Sequence, residues 1–364
     1  MNMVDNALSD KLIINLSIIF SQSTGISNYT KNIFHYLKIL NPTLLTPKNY
    51  PEFNCYLVPD NLTPAQGTKG HFRRLIWTQF QIPQIYKKLK SQLLFSPVPE
   101  APLYTNCRFV VMFHDLIPLR FPRRFSPLIP YHRYYTPQVL SQAQHIICNS
   151  HATAKDIIDF YQIPSSKITP ILLAYDRTHF QPLNLPIRNY FLYIGRQDAY
   201  KNVQRLISAF AALPNCKDYE LWLVGPSDRR YTPTLQAQVA ELGITNQVKF
   251  LDYVAYSELP TIINGAIALV FPSLWEGFGL PVLEAMACGT PVITSNISSL
   301  PEVAGDAAIL INPYNTEEIT AAMQAIANDS SLRSHLSTQG IARANQFSWE
   351  KTGLATAEVL SRYL

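Results

Sequence analysis

Apolar and polar positions follow a repeating order along the chain, in which a short apolar run precedes a longer amphipathic stretch. In the first half the amphipathic stretches Ser27–Leu40, His71–Lys90 and Ser150–Tyr161 have helical spacing, and Pro83 predicts a kink or a break in the second. The short apolar runs predict buried strands at Lys11–Phe20, Leu93–Ser96, Arg108–Phe113, His145–Asn149 and Ile168–Leu173.

The same order repeats in the second half, where a helical stripe of apolar residues runs from Val203 to Leu213. Strands are predicted at Tyr190–Ile194, Glu220–Val224, Val248–Leu251, Ile267–Phe271, Val292–Thr294 and Ala308–Ile311. Between the halves, Phe180–Arg188 has two prolines and no periodicity, which is typical of a linker. The pattern predicts an α/β protein with two Rossmann-like parallel-sheet domains, residues 1–187 and 188–346, and a final helix in residues 347–364.

The most informative stretch is Phe271–Pro291, in which a predicted strand ends in a glycine-containing loop and a helix follows. Gly277 and Gly279 let backbone N–H groups approach an anion at the start of the helix. Glu276 and Glu284 lie close enough to bind hydroxyl groups beside that anion. Together these features predict a ligand in which phosphate and sugar are adjacent, although Glu284 alone could equally serve to compensate the helix dipole.

Three further loops at predicted strand ends contain candidate residues. Arg196 and Lys201 could clamp a diphosphate or could be solvated surface charges. His114 lies where open α/β sheets bind ligands, and its alternative is an ordinary turn. Gly25 lies in a turn that suits phosphate binding or a purely structural role, and the turn is neither G-x-G-x-x-G nor a Walker loop.

Composition adds limits to this picture. The 364 residues are 47% hydrophobic and 15% charged, with no apolar run near the roughly 20 residues that span a bilayer, and the N-terminal residues do not predict a signal peptide. Five scattered cysteines, never in C-x-x-C, favour reduced thiols and a cytoplasmic protein. The chain has no Asp-x-Asp and no His/Cys/Asp cluster with metal spacing, so no metal site is predicted.

Charge is distributed unevenly over the two halves. Residues 1–187 have 18 Lys and Arg against 9 Asp and Glu, whereas the remainder has 12 against 16. The basic clusters are Arg73-Arg74, Lys87-Lys88 with Lys90, and Arg120 with Arg123-Arg124. They are either solvated surface or a face for an anionic membrane at its cytoplasmic side. Nucleic acid is not predicted, because no recognition motif accompanies the charge.

A longer string of residues resembles a known family. Glu276-Gly277-Phe278-Gly279-Leu280-Pro281, Glu284-Ala285, Gly289-Thr290-Pro291-Val292, Pro301-Glu302-Val303 and Gly305 are similar to the E-x7-E region of retaining glycosyltransferase family 4. The resemblance implies the GT-B fold, in which two Rossmann-like domains face a central cleft and the last helix returns to the first domain. His114-Asp115-Leu116-Ile117-Pro118 resembles a bacterial subgroup with many mannosyltransferases.

The resemblance also implies roles for residues. Glu284 would bind the ribose, and Glu276 and His114 the donor sugar. The diphosphate would be bound by Arg196, Lys201, the Gly25 loop and the backbone around Phe278, Gly279 and Leu280, and the base by the backbone at Val254. Compared with the family pattern, the Gly25 loop has one glycine where many members have two. Asp252-Tyr253 stands where many members have a glycine before the aromatic residue.

The sequence therefore predicts a retaining, metal-independent hexosyltransferase without a cofactor. Its donor would be a nucleotide-sugar, with GDP-mannose as the first choice and UDP- or ADP-linked sugars as alternatives. Its acceptor would be a glycan or a lipid-linked glycan of surface polysaccharide synthesis. A nucleotide-sugar epimerase or a phosphorylase of the same fold, and a non-catalytic nucleotide-binding protein, remain as alternative functions.

Overall fold

The computed structural model describes residues 11–19, 25–63, 67–123 and 126–364, and it divides into two compact units. The first unit comprises the described residues of Met1–Leu173 together with Trp349–Leu364, and the second is Ala174–Ser348. Our sequence boundary lay later, at 187/188. The predicted linker belongs to the second unit because Asn264 bonds to the backbone of Gln181 and Leu183, at 3.1 and 2.8 Å.

The first unit is built on a sheet of seven parallel strands in the order β3-β2-β1-β4-β5-β6-β7. The strands are β1 Leu12–Asn15, β2 Thr43–Thr46, β3 Asn54–Leu57, β4 Leu93–Ser96, β5 Phe109–Phe113, β6 His145–Cys148 and β7 Ile168–Pro170. The apolar pattern did not predict β2 and β3, because both strands lie outside any long apolar run. Their parallel pairing with β1 completes one side of the sheet.

Helices cover this sheet, and the last one belongs to the same unit. The α-helices are α1 Gly25–Ile33, α2 Gly67–Lys88, α3 Ile117–Arg120, α4 Leu128–Pro130, α5 Thr136–Gln142, α6 His151–Tyr161 and α14 Trp349–Ser361, with a π-helical turn at Tyr131–Tyr135. Helix α2 continues through Pro83, so the predicted break is wrong. Trp77, Ile82 and Ile85 hold both halves of this helix in the core. Helix α14 is anchored by Thr352, whose hydroxyl donates to the Leu172 carbonyl at 2.7 Å.

The second unit has six parallel strands in the order β10-β9-β8-β11-β12-β13. The strands are β8 Tyr190–Ile194, β9 Glu220–Val224, β10 Val248–Leu251, β11 Ala268–Phe271, β12 Val292–Ser295 and β13 Ile309–Ile311. The helices are α7 Val203–Ala211, α8 Thr232–Glu241, α9 Leu259–Asn264, α10 Leu280–Ala287, α11 Leu300–Ala304, α12 Thr316–Asn328 and α13 Ser330–Ala344. The prediction of two Rossmann-like parallel sheets is confirmed.

In each sheet the strand order reverses direction once, between β1 and β4 in the first unit and between β8 and β11 in the second. Open α/β sheets bind ligands at this point, outside the carboxyl ends of the strands, because the two following connections leave on opposite faces. The loop with Arg196 and Lys201 follows β8, and the loop with Glu276 follows β11. Among the described residues, no helix is both long and apolar enough to cross a bilayer.

Gly195 and Gly225 are in close contact at the start of the loop after β8. Gly225, with φ +147°, directly follows β9, and a Cβ atom there would lie 2.0 Å from the carbonyl oxygen of Gly195. Backbone cannot move aside as a side chain can, so only glycine fits at this contact.

We expect Gly225→Ala to lower the free energy of unfolding by about 3 kcal/mol or more, because it combines a backbone clash with an unfavourable φ. Gly243→Ala is the matched control, since Gly243 has φ +68° but no atom within 4 Å of the added Cβ. That control should lose only about 1 kcal/mol. Urea unfolding measures both, and equal losses would contradict the proposed close contact.

Candidate active site

An ion pair joins the two loops at the strand-order reversal of the second unit. Lys201 Nζ lies 2.6 Å from Glu276 Oε1, and the Glu276 side chain keeps only 10% of its surface exposed. The Lys201 cation also lies over the Phe271 ring, 5.2 Å from its centroid. A carboxylate this deep in protein needs a cation beside it, and here that cation comes from the neighbouring loop.

Backbone and amide bonds fasten these two loops to each other. The Leu274 N–H donates to the Tyr200 carbonyl at 2.7 Å. Asn202, in the left-handed conformation with φ +63°, donates from Nδ2 to the carbonyls of Pro272 and Pro313, at 3.0 and 2.7 Å. Asn202 therefore has a structural role, since it positions Lys201, the residue before it.

Two serines that sequence analysis missed hold the Glu276 loop from the other side. Ser298 Oγ accepts from the Glu276 N–H at 2.9 Å and donates to the Glu276 carbonyl at 2.7 Å. The fully buried Ser299 donates to the carbonyls of Glu276 and Phe278, at 3.1 and 2.7 Å. The only signal in the sequence is a Ser-Ser pair directly before helix α11.

Helix α10 begins at this loop with the geometry of an anion site. Gly279 precedes the helix with φ +113°, where an added Cβ would lie 2.7 Å from Leu300 Cδ2. Within the part of the chain that the structure describes, no group accepts a hydrogen bond from the N–H of Gly279 or Leu280. The Phe278 ring is buried and packs near Phe347, so only its backbone is available to a ligand.

Arg196 leaves the loop after β8 toward solvent. Its side chain is 59% exposed, and Nε lies 3.1 Å from Oδ2 of the buried Asp198. Its carbonyl accepts from the Tyr193 hydroxyl at 2.5 Å. The guanidinium is thus tethered at one edge and still presents donors to a ligand, which suits a diphosphate contact.

Glu284 lies one turn into α10 in a partly enclosed position. Burial, with a contribution from the negative charge of Asp176, raises the pKa of its carboxyl to about 7. No side chain in the described residues forms a hydrogen bond or ion pair with this carboxylate. Asp176 Oδ1 instead accepts from the N–H groups of Thr178 and His179, at 3.0 and 3.2 Å. Two neighbouring acids, one of them unpartnered, suit a ligand that supplies hydroxyl donors.

The remaining candidates lie in separate places. Val254 is partly exposed in the loop after β10, the edge strand of the second sheet. Gly25 is the first residue of α1, two residues before the start of the predicted helix at Ser27. The turn before Gly25, residues 21–24, lies outside the described residues, and the predicted phosphate contact there stays a prediction.

His114 lies after β5 in the first unit. Its Nε2 is 2.9 Å from the Pro97 carbonyl, and its ring meets the Tyr29 ring edge-on at 5.4 Å. Burial lowers the pKa of His114 to about 4, although the carbonyl contact opposes this shift. The imidazole is therefore neutral at pH 7, with Nε2 as the donor to Pro97 and Nδ1 as an acceptor.

Comparison with known proteins places these elements in a family context. Residues 23–179 match Glycosyltransferase Family 4, and residues 176–343 match Glycosyl transferases group 1. The chain is 32% identical over 270 residues to O-antigen chain mannosyltransferase B of Escherichia coli, an alignment that covers 70% of each protein. It is 27% identical over 327 residues to O-antigen chain mannosyltransferase RfbU of Salmonella typhimurium, covering 86% of this chain and 90% of that protein.

Solved structures show the same fold at low identity. Anabaena HepE in complex with UDP and glucose superposes with a TM-score of 0.75 at 18% identity, covering 97% of this chain and 99% of that one. Sucrose-phosphate synthase from Thermosynechococcus elongatus superposes with a TM-score of 0.74 at 19% identity, covering 97% and 98%.

Among the described residues, no group of three or more His, Cys, Asp or Glu side chains is placed to hold a metal ion.

The raised pKa of Glu284 predicts a pH-dependent gain in stability for Glu284→Gln. Between the usual pKa of 4.5 and the folded value of about 7, the folded state binds the extra proton, so the free energy of unfolding falls as pH rises. Above pH 7 the folded state bears the whole free-energy cost of ionising the Glu284 carboxyl. Glu284→Gln should therefore stabilise the protein by about 1–3 kcal/mol at pH 8 and by little at pH 5.

Urea unfolding at the two pH values measures this difference. Glu241→Gln, which changes an exposed glutamate at the end of α8, is the matched control and should change stability little at either pH. A gain from Glu284→Gln that is equal at pH 5 and pH 8 would show that the Glu284 carboxyl titrates normally.

Proposed function

The chain belongs to the GT-B glycosyltransferases of family 4, and we propose that it transfers mannose from GDP-mannose to a hydroxyl group of a surface-polysaccharide acceptor. We further propose that the reaction retains the anomeric configuration and needs no metal ion. The observation that supports this most is the Lys201–Glu276 pair at the strand-order reversal, beside the open amides that precede α10. The names of the O-antigen relatives support mannose as the sugar.

In the proposed reaction the bond between the sugar C1 and the diphosphate oxygen breaks, and its electron pair leaves with the nucleotide diphosphate. Lys201, Arg196 and the N–H groups of Gly279 and Leu280 would stabilise that leaving charge. The acceptor oxygen forms the new bond to C1, and its proton passes to the departing phosphate oxygen. This last step follows from the proposed retention of configuration on one face of the sugar.

The Lys201–Glu276 contact explains why one cation is insufficient for this task. Glu276 already offsets much of the Lys201 charge at 2.6 Å, so a diphosphate needs further donors. The half-exposed Arg196 and the open amides provide them without leaving any buried charge unpaired. Glu276 also has a second carboxylate oxygen, which is suited to accept a hydrogen bond from a hydroxyl of the sugar next to the phosphate.

Roles are proposed for three further residues. Glu284, which has no hydrogen bond to any residue that the structure describes, would accept hydrogen bonds from the two ribose hydroxyls, and the backbone at Val254 would contact the base. His114, neutral and with Nδ1 as an acceptor, would bind a sugar hydroxyl in the first unit. Its low pKa makes it a poor proton donor at neutral pH, so its proposed role is in positioning the sugar.

Substitutions in the ion pair test the proposed site. Lys201→Gln and Glu276→Gln should each lower kcat by about 100-fold or more, since the first removes a cation that stabilises the leaving charge and the second a carboxylate that positions the donor sugar. Lys201→Gln should also destabilise the fold, because it leaves the Glu276 carboxylate without its cation. The double variant should regain stability and not activity, a difference that unfolding and initial-rate measurements report.

Lys249→Gln is the matched control for these variants. Lys249 Nζ lies 2.7 Å from Glu220 Oε1 in a second Lys–Glu pair of the same unit, at the start of β9 and outside the proposed site. Its loss should leave kcat unchanged. If activity returned together with stability in the double variant of Lys201 and Glu276, the pair would be structural and the proposed site would be wrong.

The donor can be identified with a panel of GDP, UDP, ADP and TDP. The matching nucleotide should raise Tm, since a ligand that binds only the folded state stabilises it by about 2.7 kcal/mol at 100 times Kd. We expect GDP to give the largest shift, transfer from GDP-mannose to persist in EDTA, and NMR to show an α-linked product from the α-linked donor.

Other outcomes identify the alternative functions. A larger shift with UDP would replace the proposed donor. Strict dependence on added Mg²⁺ or Mn²⁺ would contradict a clamp of Lys201, Arg196 and amides. Conversion of the free donor to its epimer would indicate an epimerase, and nucleotide binding without turnover of any sugar would indicate a binding protein.

A further inference from the structure

The outer side of helix α2 is apolar although it faces solvent. Phe72, Ile76 and Phe80 follow one another at intervals of four residues and so lie on one side of the helix. They keep 64%, 46% and 62% of their surface exposed. Single exposed apolar residues are ordinary, but a contiguous row along a helix marks a surface that another body covers.

The same side of the helix is basic. Lys69, Arg73 and Lys87 are exposed there at helical spacing from the apolar row, and the 22 residues of α2 include no Asp or Glu. An amphipathic helix with aromatic residues and lysines on its outer side is the type that lies in the interface of an anionic membrane. The outer face of α2 is defined here as Lys69, Phe72, Arg73, Ile76, Phe80 and Lys87.

The inner side of α2 fixes this face to the sheet. Arg74 binds the buried Glu100 through two hydrogen bonds of 2.6 and 2.7 Å, and its third donor reaches the Leu62 carbonyl at 3.2 Å. Glu100 follows β4, at the edge where the strand order of the first sheet reverses. The outer face therefore lies about one helix diameter, roughly 10 Å, from the edge at which open α/β sheets bind ligands.

We propose that the outer face of α2 docks on an anionic phospholipid surface. Phe72, Ile76 and Phe80 enter the boundary between headgroups and acyl chains, and Lys69, Arg73 and Lys87 contact lipid phosphates. A surface of uniform negative charge complements a helix without acids. Pairing with the same face of a second copy would instead bring like charges together across the interface. The consequence that a lipid-linked acceptor is presented to this unit rests on the proposed function; the docking itself does not.

Co-sedimentation with vesicles tests the proposal on the full chain without donor or acceptor. The protein should bind vesicles of phosphatidylglycerol and phosphatidylcholine and should not bind phosphatidylcholine alone. Lys69→Gln with Lys87→Gln should weaken binding about 30-fold at low salt, from about 1 kcal/mol per cation. Phe72→Ser with Phe80→Ser should weaken it by roughly tenfold or more, and this loss should persist at high salt.

Ile39→Ser and Lys155→Gln are the matched controls, because they remove a comparably exposed apolar side chain and a comparably exposed cation elsewhere in the same unit. Both should bind vesicles like the unchanged protein. Unchanged binding by both α2 double variants would overturn the proposal. So would a dimer that Phe72→Ser with Phe80→Ser dissociates while vesicle binding stays intact.

Vesicle binding and sugar transfer are scored separately. A protein that binds anionic vesicles but transfers no sugar keeps the docking surface and contradicts the proposed function. A protein that transfers mannose but does not bind vesicles supports the proposed function and contradicts the docking surface.

Discussion

A carboxylate that is nine-tenths buried constrains everything around it, and at the candidate site Glu276 is such a carboxylate. Removing an acid from water costs several kcal/mol unless a cation and hydrogen bonds replace the lost hydration. Lys201 supplies the cation at 2.6 Å, while Ser298 and Ser299 bind the backbone of Glu276 itself. The cost of misplacing either loop is therefore high, and the site is held in one geometry before any ligand arrives.

That geometry depends in turn on the order of strands in the sheet. The loops after β8 and β11 are distant in sequence but neighbours in space, because β11 pairs with β8 where the order reverses. Asn202 then fastens the first loop to Pro272 of the second, and to Pro313 after β13. The lysine and the acid meet because three strand ends are tied together by one buried amide.

Local signals in the sequence predicted much of this. Apolar runs located the strands of the second unit to within about a residue, and the residues around Gly279 predicted a loop that opens a helix. Features that depend on distant contacts were not predictable. Strands β2 and β3 lie outside any long apolar run, and nothing local indicates that Ser298 and Ser299 would bind Glu276 across 22 and 23 residues. Asp176 next to Glu284 was missed for the same reason.

Charge counting shows the same limit in the first unit, where the excess of basic residues does not by itself define a basic surface. Arg74 is buried and forms an ion pair with Glu100, and Arg120 forms an ion pair with the buried Asp156. Arg73, the sequence neighbour of Arg74, is instead exposed and lies on the outer face of α2. Helical periodicity separates the two arginines by about 100°, which turns one toward a buried carboxylate and the other toward solvent. Three cations, Lys69, Arg73 and Lys87, are exposed beside the apolar row on this helix, and this coincidence, more than the net charge, is the basis for the proposed membrane docking.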